Sequence, residues 1–208
     1  MSTDPEELAS PKAPVGRPRN RDLDEAALFA VRELLVEEGY QALSIHKITQ
    51  RCGVHVRTIA RRWGSKAEII AAAVLGGDDP LYSDNAPKLP TGHLRSDLRE
   101  LIERNLQFLA DPAVRAALPA LTSEIGTNDE VRERFQRRQD EWRAAINTVL
   151  EHAVKSGDAP KSVIRRGRLL PTIIGGATFN AQFLPAGSSN KALIDDLTDF
   201  LVAALLAS

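Results

Sequence analysis

A basic segment, CGVHVRTIARRWGSK, spans Cys52–Lys66 and mixes positively charged residues with apolar ones. Its basic side chains are Arg57, Arg61, Arg62 and Lys66, and it contains no acidic residue. Guanidinium and ammonium groups bind phosphate, and arginine also hydrogen-bonds to guanine. Because apolar residues recur between the charges, one face can pack inward while the basic face stays outside. The segment indicates a surface that binds a polyanion, with an ordinary solvated helix face as the alternative.

The positive charge is unevenly distributed, although the formal net charge of the chain is only -1. Residues 10–21 and 39–67 contain several basic residues and no acid. The electric field around a protein depends on where its charges lie and not only on their sum. Two such ranges in the first third of the chain favour a nucleic-acid partner.

Enzymatic and metal chemistry have little support in the residue pattern. Cys52 has no activating pattern around it, and His93 and His152 are isolated along the chain. No paired His/Glu spacing indicates a metal site, and Gly175-Gly176 lacks the rest of a phosphate-binding glycine motif. We therefore expect no enzyme, no metal and no cofactor.

The composition favours an all-α protein. Of the 208 residues, 43% are apolar and only 5% are aromatic, while Ala and Leu are abundant. No apolar run approaches the roughly 18 residues of a membrane span, and the polar N-terminus has no signal-peptide core. The single Cys52 excludes an intrachain disulfide and suits a reducing cytoplasm.

A helix-turn-helix is predicted within residues 21–75. Helices are expected over Leu23–Glu38, Ile45–Arg51, His55–Arg62 and Lys66–Leu75, with Gly53 in the turn between the second and third. Two short helices joined by a glycine-containing turn are typical of this motif. The residues of the second and third helices expected to pack inward are Ile45, Ile48, Val56, Ile59 and Trp63.

Composition divides the remaining chain into an arm, a linker and a larger helical part. Residues 1–20 are expected to be a disordered basic arm, and 76–92, rich in Gly, Pro and Asp, a linker. The helical part then covers 93–208. Its five helical segments are placed near 93–110, 112–125, 129–156, 162–184 and 190–206.

The range from Ala26 to Ala73 resembles the DNA-binding domain of the TetR (tetracycline-repressor) family of bacterial transcription regulators. The pattern covers about a quarter of the chain, and its spacing and residue types agree throughout. Two positions differ, because His55 stands where a Ser is common and Ala60 where a Tyr often touches phosphate. The motifs that carry the resemblance are Gly39-Tyr40, Leu43-Ser44-Ile45, Lys47-Ile48, Gly53-Val54, Thr58-Ile59, Trp63 and Ser65-Lys66.

The resemblance implies that the third helix enters the major groove of DNA, where side chains read base edges. His55 and Thr58 are candidates for base contact, with Arg57 and Arg61 at guanines. Arg17 and Arg19 of the arm are expected in the minor groove, with a simple tail as the alternative. Tyr40 is equally compatible with phosphate contact and with packing. The full set of candidate DNA contacts is Arg17, Arg19, Tyr40, Ser44, Lys47, His55, Arg57, Thr58, Arg61, Arg62 and Lys66.

For the larger part, the resemblance implies dimerisation and a ligand pocket. An intramolecular core is the alternative for both sets of apolar residues. The expected dimer interface is Ile173, Gly175, Gly176, Leu193, Leu197, Phe200, Leu201 and Leu205. The expected pocket lining is Leu98, Leu101, Phe108, Leu118, Leu121, Phe135, Trp142, Ile146 and Phe179.

The sequence thus predicts a homodimeric, ligand-responsive transcriptional regulator of the bacterial cytoplasm. It is expected to repress from a palindromic double-stranded DNA operator until a small apolar or amphipathic effector binds, without a membrane partner. Two alternatives stay open: a DNA-binding regulator without an effector, and a helical protein-interaction module.

Overall fold

The computed structural model describes residues 21–76, 89–183 and 189–207, and every regular element within them is helical. The expected all-α class is therefore confirmed. Arg17, Arg19 and most of the expected linker lie outside these residues. Within the described part, no helix is both long and apolar enough to cross a membrane.

The first four helices follow local sequence signals closely. Gly39 interrupts the first helix with a φ of 79°, at the position where the sequence predicts its end. Gly53 ends the second with a φ of 69°, in the left-handed region that glycine adopts without strain. The bounds are α1 (Arg21–Ala42), α2 (Ile45–Cys52), α3 (Val56–Arg62) and α4 (Lys66–Leu75).

The remaining helices form the larger part of the molecule. The predicted segment 162–184 is divided by a short 3₁₀ turn, Gly167–Leu169, and the other predicted segments agree with the structure within one residue at each end. The bounds are α5 (Leu94–Ala110), α6 (Pro112–Glu124), α7 (Asp129–Ser156), α8 (Ser162–Arg166), α9 (Leu170–Phe183) and α10 (Asn190–Leu206).

A first apolar core joins α1–α4 to the larger part. It includes residues of all four helices together with the end of α5, the buried face of α6 and Val131 at the start of α7. Helix α4 is buried at eight of its ten positions, Ala67 and 69–75, because it lies between α1 on one side and α6 and α7 on the other. The basic helices are therefore packed directly on the helices that follow the linker.

A second core holds the larger part together. It is built from α5, α7, α8, α9 and α10, and its buried side chains are mainly Leu, Ile, Val and Ala. Leu98, Leu101 and Leu150 are fully buried within it. Since α5 and α7 contribute to both cores, they link the two regions mechanically.

The sequence prediction for Val56 is wrong. Val56 is 47% exposed, whereas Ile59 and Trp63 are buried as predicted. Val54, in the turn before α3, is only 5% exposed and packs in the first core. It supplies the apolar contact that the sequence pattern had assigned to Val56.

Candidate nucleic-acid interface and cavity

Side-chain caps fix where α2 and α3 begin. The Ser44 hydroxyl accepts a hydrogen bond from the Lys47 N–H at 3.3 Å and begins α2. His55 Nδ1 accepts from the Arg57 N–H at 3.2 Å and begins α3. Ile59 is fully buried and packs α3 into the first core. Ser44 and His55 therefore position the two helices, whatever else they contact.

Two arginines on α3 extend into solvent. Arg57 and Arg61 are exposed, and no described carboxylate forms an ion pair with either of them. His55 is exposed beside them and Thr58 is half-buried. Arg57 and Arg61 are four residues apart and therefore lie on one open side of α3, where a guanidinium can reach a phosphate or a base edge.

Two other predicted cations are paired with acids of α1. Arg62 forms an ion pair with Asp24, and only 18% of its side chain is exposed. Lys47 pairs with Glu38, and the neighbouring Arg51 pairs with Glu37 at 2.6 Å. The hydrogen bond from Arg51 holds the pKa of Glu37 below its ordinary value. The expectation that Arg62 faces outward is therefore corrected: it fastens the end of α3 to α1.

Tyr40 and Lys66 hold each other in place. Lys66 Nζ donates to the Tyr40 carbonyl at 2.9 Å and lies 4.5 Å from the centre of its ring. The Tyr40 hydroxyl lies close enough to Glu124, at the end of α6, to interact with its carboxylate. Burial, together with the Glu124 charge, raises the pKa of Tyr40 above its ordinary value. Tyr40 packs against the first core, and contact of its hydroxyl with phosphate stays a prediction.

A cavity of about 420 Å³ lies among α4, α5, α6, α7 and α9. Five residues of the predicted pocket line it: Phe108, Leu118, Phe135, Trp142 and Phe179. The sequence prediction missed the rest of the lining, although positions 138 and 139 follow Phe135 at helical spacing. The further lining residues are Leu75, Asn105, Leu109, Thr122, Ile125, Arg138, Gln139, Glu141, Pro171, Gly175 and Gly176.

Four residues of the predicted pocket do not line this cavity. Leu98, Leu101 and Ile146 are buried in the second core, and Leu121 is buried in the first. Their exposures are at most 1%. The prediction is corrected for these four, because they occupy faces of α5, α6 and α7 that pack against other helices.

Polar groups at the cavity are largely engaged with the protein. Asn105 Nδ2 donates to Thr178 Oγ1 at 2.6 Å, and the Thr122 hydroxyl donates to the Pro119 carbonyl at 2.7 Å. The Arg138 guanidinium lies over the Phe108 ring, 3.4 Å from its centre. The cavity thus combines aromatic walls with a few fixed polar groups, which is the usual character of a small-molecule site.

The residues predicted for a dimer interface divide into four groups. Leu197, Leu201 and Leu205 are buried in the second core, so they are corrected to intramolecular core residues. Ile173 and Leu193 are half-buried against that core, and Gly175 and Gly176 line the cavity. Phe200 is 62% exposed on α10.

Polar links join α1 to the start of α6. Arg32 donates to Asp111 at 2.7 Å and to the Ala73 carbonyl of α4 at 3.0 Å. The other oxygen of Asp111 accepts from the Ala113 and Val114 N–H groups and so caps α6.

A further polar link joins α4 to the start of α7. Asn128 Nδ2 lies 3.3 Å from both Ser65 Oγ and Glu68 Oε1. These contacts fix the basic helices to helices that line the cavity. The sequence prediction missed them because their partners lie far apart along the chain.

The helical fold and the exposed basic helix of a helix-turn-helix define a DNA-binding transcription regulator. Residues 28–73 match the family described as "Bacterial regulatory proteins, tetR family". Residues 89–201 match "Tetracyclin repressor-like, C-terminal domain". The chain therefore belongs to the TetR family, which consists of transcription regulators and not of enzymes.

Two curated relatives agree with this assignment. An uncharacterised HTH-type transcriptional regulator of Mycobacterium tuberculosis (strain ATCC 25618 / H37Rv) is 30% identical over 178 residues, covering 83% of this chain and 85% of the relative. A protein described as the DNA-binding transcriptional repressor TetR of Mycobacteroides abscessus (strain ATCC 19977) is 28% identical over 185 residues, covering 87% and 93%.

A solved structure shares the fold. It is a transcriptional regulator from Saccharomonospora viridis, determined in complex with choline. It has a TM-score of 0.66 and 20% identity, and covers 88% of this chain and 97% of that one.

Proposed function

We propose that this chain is a homodimeric repressor that binds a palindromic operator and releases it when a small effector enters the cavity. The observation that carries the proposal is the open side of α3. There, Arg57 and Arg61 extend into solvent without an ion-pair partner among the described residues. The repressor role is supported by the relative described as a repressor, and the site of action would be the bacterial cytoplasm.

In this proposal each part of the chain has the function that the sequence predicts. Residues 21–75 form the DNA-binding part, 93–208 the effector-binding and dimerisation part, and 76–92 the connection. His55, Arg57, Thr58 and Arg61 read or touch the major groove, while the arm residues Arg17 and Arg19 reach the minor groove. Tyr40, Ser44, Lys47, Arg62 and Lys66 mainly hold the helices in position, with Lys47 able to exchange its surface ion pair for a phosphate.

The dimer is supported by apolar side chains left in solvent on the last helices. Phe200 on α10 is 62% exposed, Leu206 is 42% exposed, and Phe179 on α9 is 37% exposed. Large apolar side chains left exposed on a protein surface are typical of an interaction site. A two-fold dimer also places two copies of α3 about one DNA turn apart, roughly 34–36 Å, as a palindrome requires.

The effector role is supported by the position of the cavity. Part of the cavity wall is formed by α6, through Leu118 and Thr122, and by Ile125 directly after it. Helix α6 also packs along α1. Leu75, the last residue of α4, lines the same cavity. A ligand that prefers one placement of α4 and α6 would favour one spacing of the two α3 helices, since only differential affinity shifts an equilibrium.

The dimer is tested by replacing Phe200 with Glu. A charge at the interface should convert the protein to a monomer in sedimentation equilibrium while its circular dichroism stays helical. Phe29→Glu is a matched control, because Phe29 is 64% exposed on α1. A dimer that survives Phe200→Glu, or dissociates equally with Phe29→Glu, would contradict this interface.

The effector is tested with an operator recovered from a random pool of duplexes. Fluorescence anisotropy of the labelled operator is followed while a panel of small apolar and amphipathic compounds is added. Release by a subset of these compounds supports the proposal. Tight operator binding that no compound affects, together with no compound binding to the protein, would favour a regulator without an effector.

A further inference from the structure

We propose that an acidic segment of the arm, residues 4–8, binds the open side of α3 when DNA is absent and leaves it when DNA binds. The segment has the sequence DPEEL and lies outside the described residues. This inference rests on α3 being the DNA-binding surface, and it adds an internal competitor for that surface. It is carried by the unpaired arginines of α3, by the apolar residues beside them, and by the place where the arm joins α1.

The carboxylates of α1 do not compensate two arginines of α3. Asp24 is engaged with Arg62, at the end of α3. Arg57 and Arg61 are exposed, and no ion pair joins either of them to an acid of the described residues. Since the two lie four residues apart, their side chains form one basic row. Guanidinium groups hydrogen-bond to carboxylates as readily as to phosphates, so an acidic peptide fits this row.

An apolar row adjoins the basic row. Val56 is 47% exposed, and Ala60 is also exposed. Each of them directly precedes one of the two arginines, and consecutive residues of a helix are about 100° apart around its axis. A phosphate backbone offers such a row no apolar partner, whereas in residues 4–8 three carboxylates are followed by Leu8. The segment therefore matches both rows.

The arm joins the described structure beside α3. Helix α1 begins at Arg21, one helical turn before Asp24, and Asp24 is paired with Arg62 of α3. From Arg62 back to Arg57 the rise along α3 is only about 8 Å. The chain between Leu8 and Arg21 can span at most about 45 Å, so the segment can reach both arginines. Tethering raises its effective concentration at α3 to roughly the millimolar range.

A spin label tests where the segment lies. It is attached through Ser2→Cys, with Cys52→Ser removing the natural thiol, and wild-type helicity is checked first. Without DNA, the label should broaden the amide signals of α3 and leave those of α8 sharp. The α3 signals should recover when a duplex is added. They should also recover in the amide variant, which combines Asp4→Asn, Glu6→Gln and Glu7→Gln.

Affinity for a duplex of random sequence tests the competition. At low salt, the amide variant should bind about threefold to tenfold more tightly than the wild type, because each exposed ion pair contributes little and two or three act together. The ratio should fall as salt rises and screens these pairs. In a background with Arg57→Ala and Arg61→Ala, the same three replacements should change the affinity less than about twofold.

A matched control removes the same number of charges elsewhere. Three exposed carboxylates of α7 are replaced, and the affinity for the random duplex should again change less than about twofold. The replacements are Glu133→Gln, Glu141→Gln and Glu151→Gln. An equal gain in this control would show that only net charge matters, and it would overturn the inference.

Two further outcomes would overturn the inference. One is a gain in affinity that persists without Arg57 and Arg61. The other is a label that leaves α3 sharp, as expected if the acids pair with the basic residues of the arm itself. The label experiment is first done without DNA, so its failure leaves the proposed function in place. That function fails separately if the wild type selects no operator.

Discussion

At the scale of single residues, some basic side chains of the helix-turn-helix pair with a carboxylate of α1, and others extend into solvent. Arg57 and Arg61 extend from α3, whereas Arg62 is held by Asp24 and Lys47 by Glu38. The sequence showed a range without acids, and only the fold shows that carboxylates of α1 lie beside it. The positive surface is therefore narrower than the sequence suggests, and it is centred on α3.

Arg61→Ala should weaken operator binding and reduce its salt dependence. Each phosphate neutralised by the protein contributes about 0.9 to the slope of log affinity against log salt, so the slope should become shallower by that amount per subunit. Anisotropy titrations at several salt concentrations measure both quantities. Arg143→Ala, exposed on α7 and paired with Asp140, serves as the control and should change neither.

Tyr40→Phe should destabilise the fold in a pH-dependent manner. The variant loses the interaction of the hydroxyl with Glu124, and we expect a loss of about 0.5–1 kcal/mol at neutral pH. The pKa of Tyr40 is raised in the fold, so its contribution is fully present below the ordinary pKa of 10.0 and is lost as pH rises through the raised value. The stability difference between wild type and variant should therefore shrink in alkaline solution. Urea unfolding at pH 7 and above pH 10 measures it, and a difference that grows with pH would contradict this role.

At the scale of elements, most helix bounds could be predicted because they depend on neighbours in the sequence. Ser44 and Ser65 cap helices, Gly53 and Gly157 end them with positive φ, and Gly39 interrupts α1 in the same way. Tertiary packing, in contrast, was not predictable from spacing. The leucines of α10 form an apolar stripe whether they meet a partner chain or their own core, and the structure buries them in the core.

Gly53→Ala should test the turn between α2 and α3. The residue has a φ of 69°, and a Cβ there meets no atom within 4 Å, so the cost is backbone strain alone. We expect a loss of about 1 kcal/mol in the free energy of unfolding, measured in urea. Gly53→Asn should lose less, since Asn adopts this conformation more readily. Equal losses of stability in the Ala and Asn variants would indicate that the left-handed backbone conformation does not cause the destabilisation.

At the scale of the whole molecule, the first core makes the DNA-binding helices depend on the rest of the chain. Ile69, Ile70 and Val74 of α4 are at most 3% exposed, and α4 contacts both α6 and α7. This burial across the linker is also why the cavity could be predicted only in part. Five apolar lining residues could be predicted from the sequence. Arg138 and the two glycines line the cavity because of the way α7 and α9 pack.

A fragment containing residues 1–88 should therefore fail to fold independently. Removing α5–α10 would expose the apolar face of α4, and the remaining helices would keep only part of the first core. Circular dichroism of the purified fragment should show little helix and no cooperative melting, whereas the full chain should melt cooperatively. A fragment that melts as cooperatively as the full chain would contradict the dependence.

The most direct test of the central claim, that α3 reads a specific operator, is selection of duplexes from a random DNA pool by the purified protein. The wild type is expected to select a palindromic sequence, and that sequence should be lost when Arg57 and Thr58 are replaced by Ala while the dimer stays folded. Recovery of no sequence, or of the same palindrome by the variant, would contradict base reading by α3. With no sequence recovered, the basic surface would be reduced to non-specific binding of polyanions.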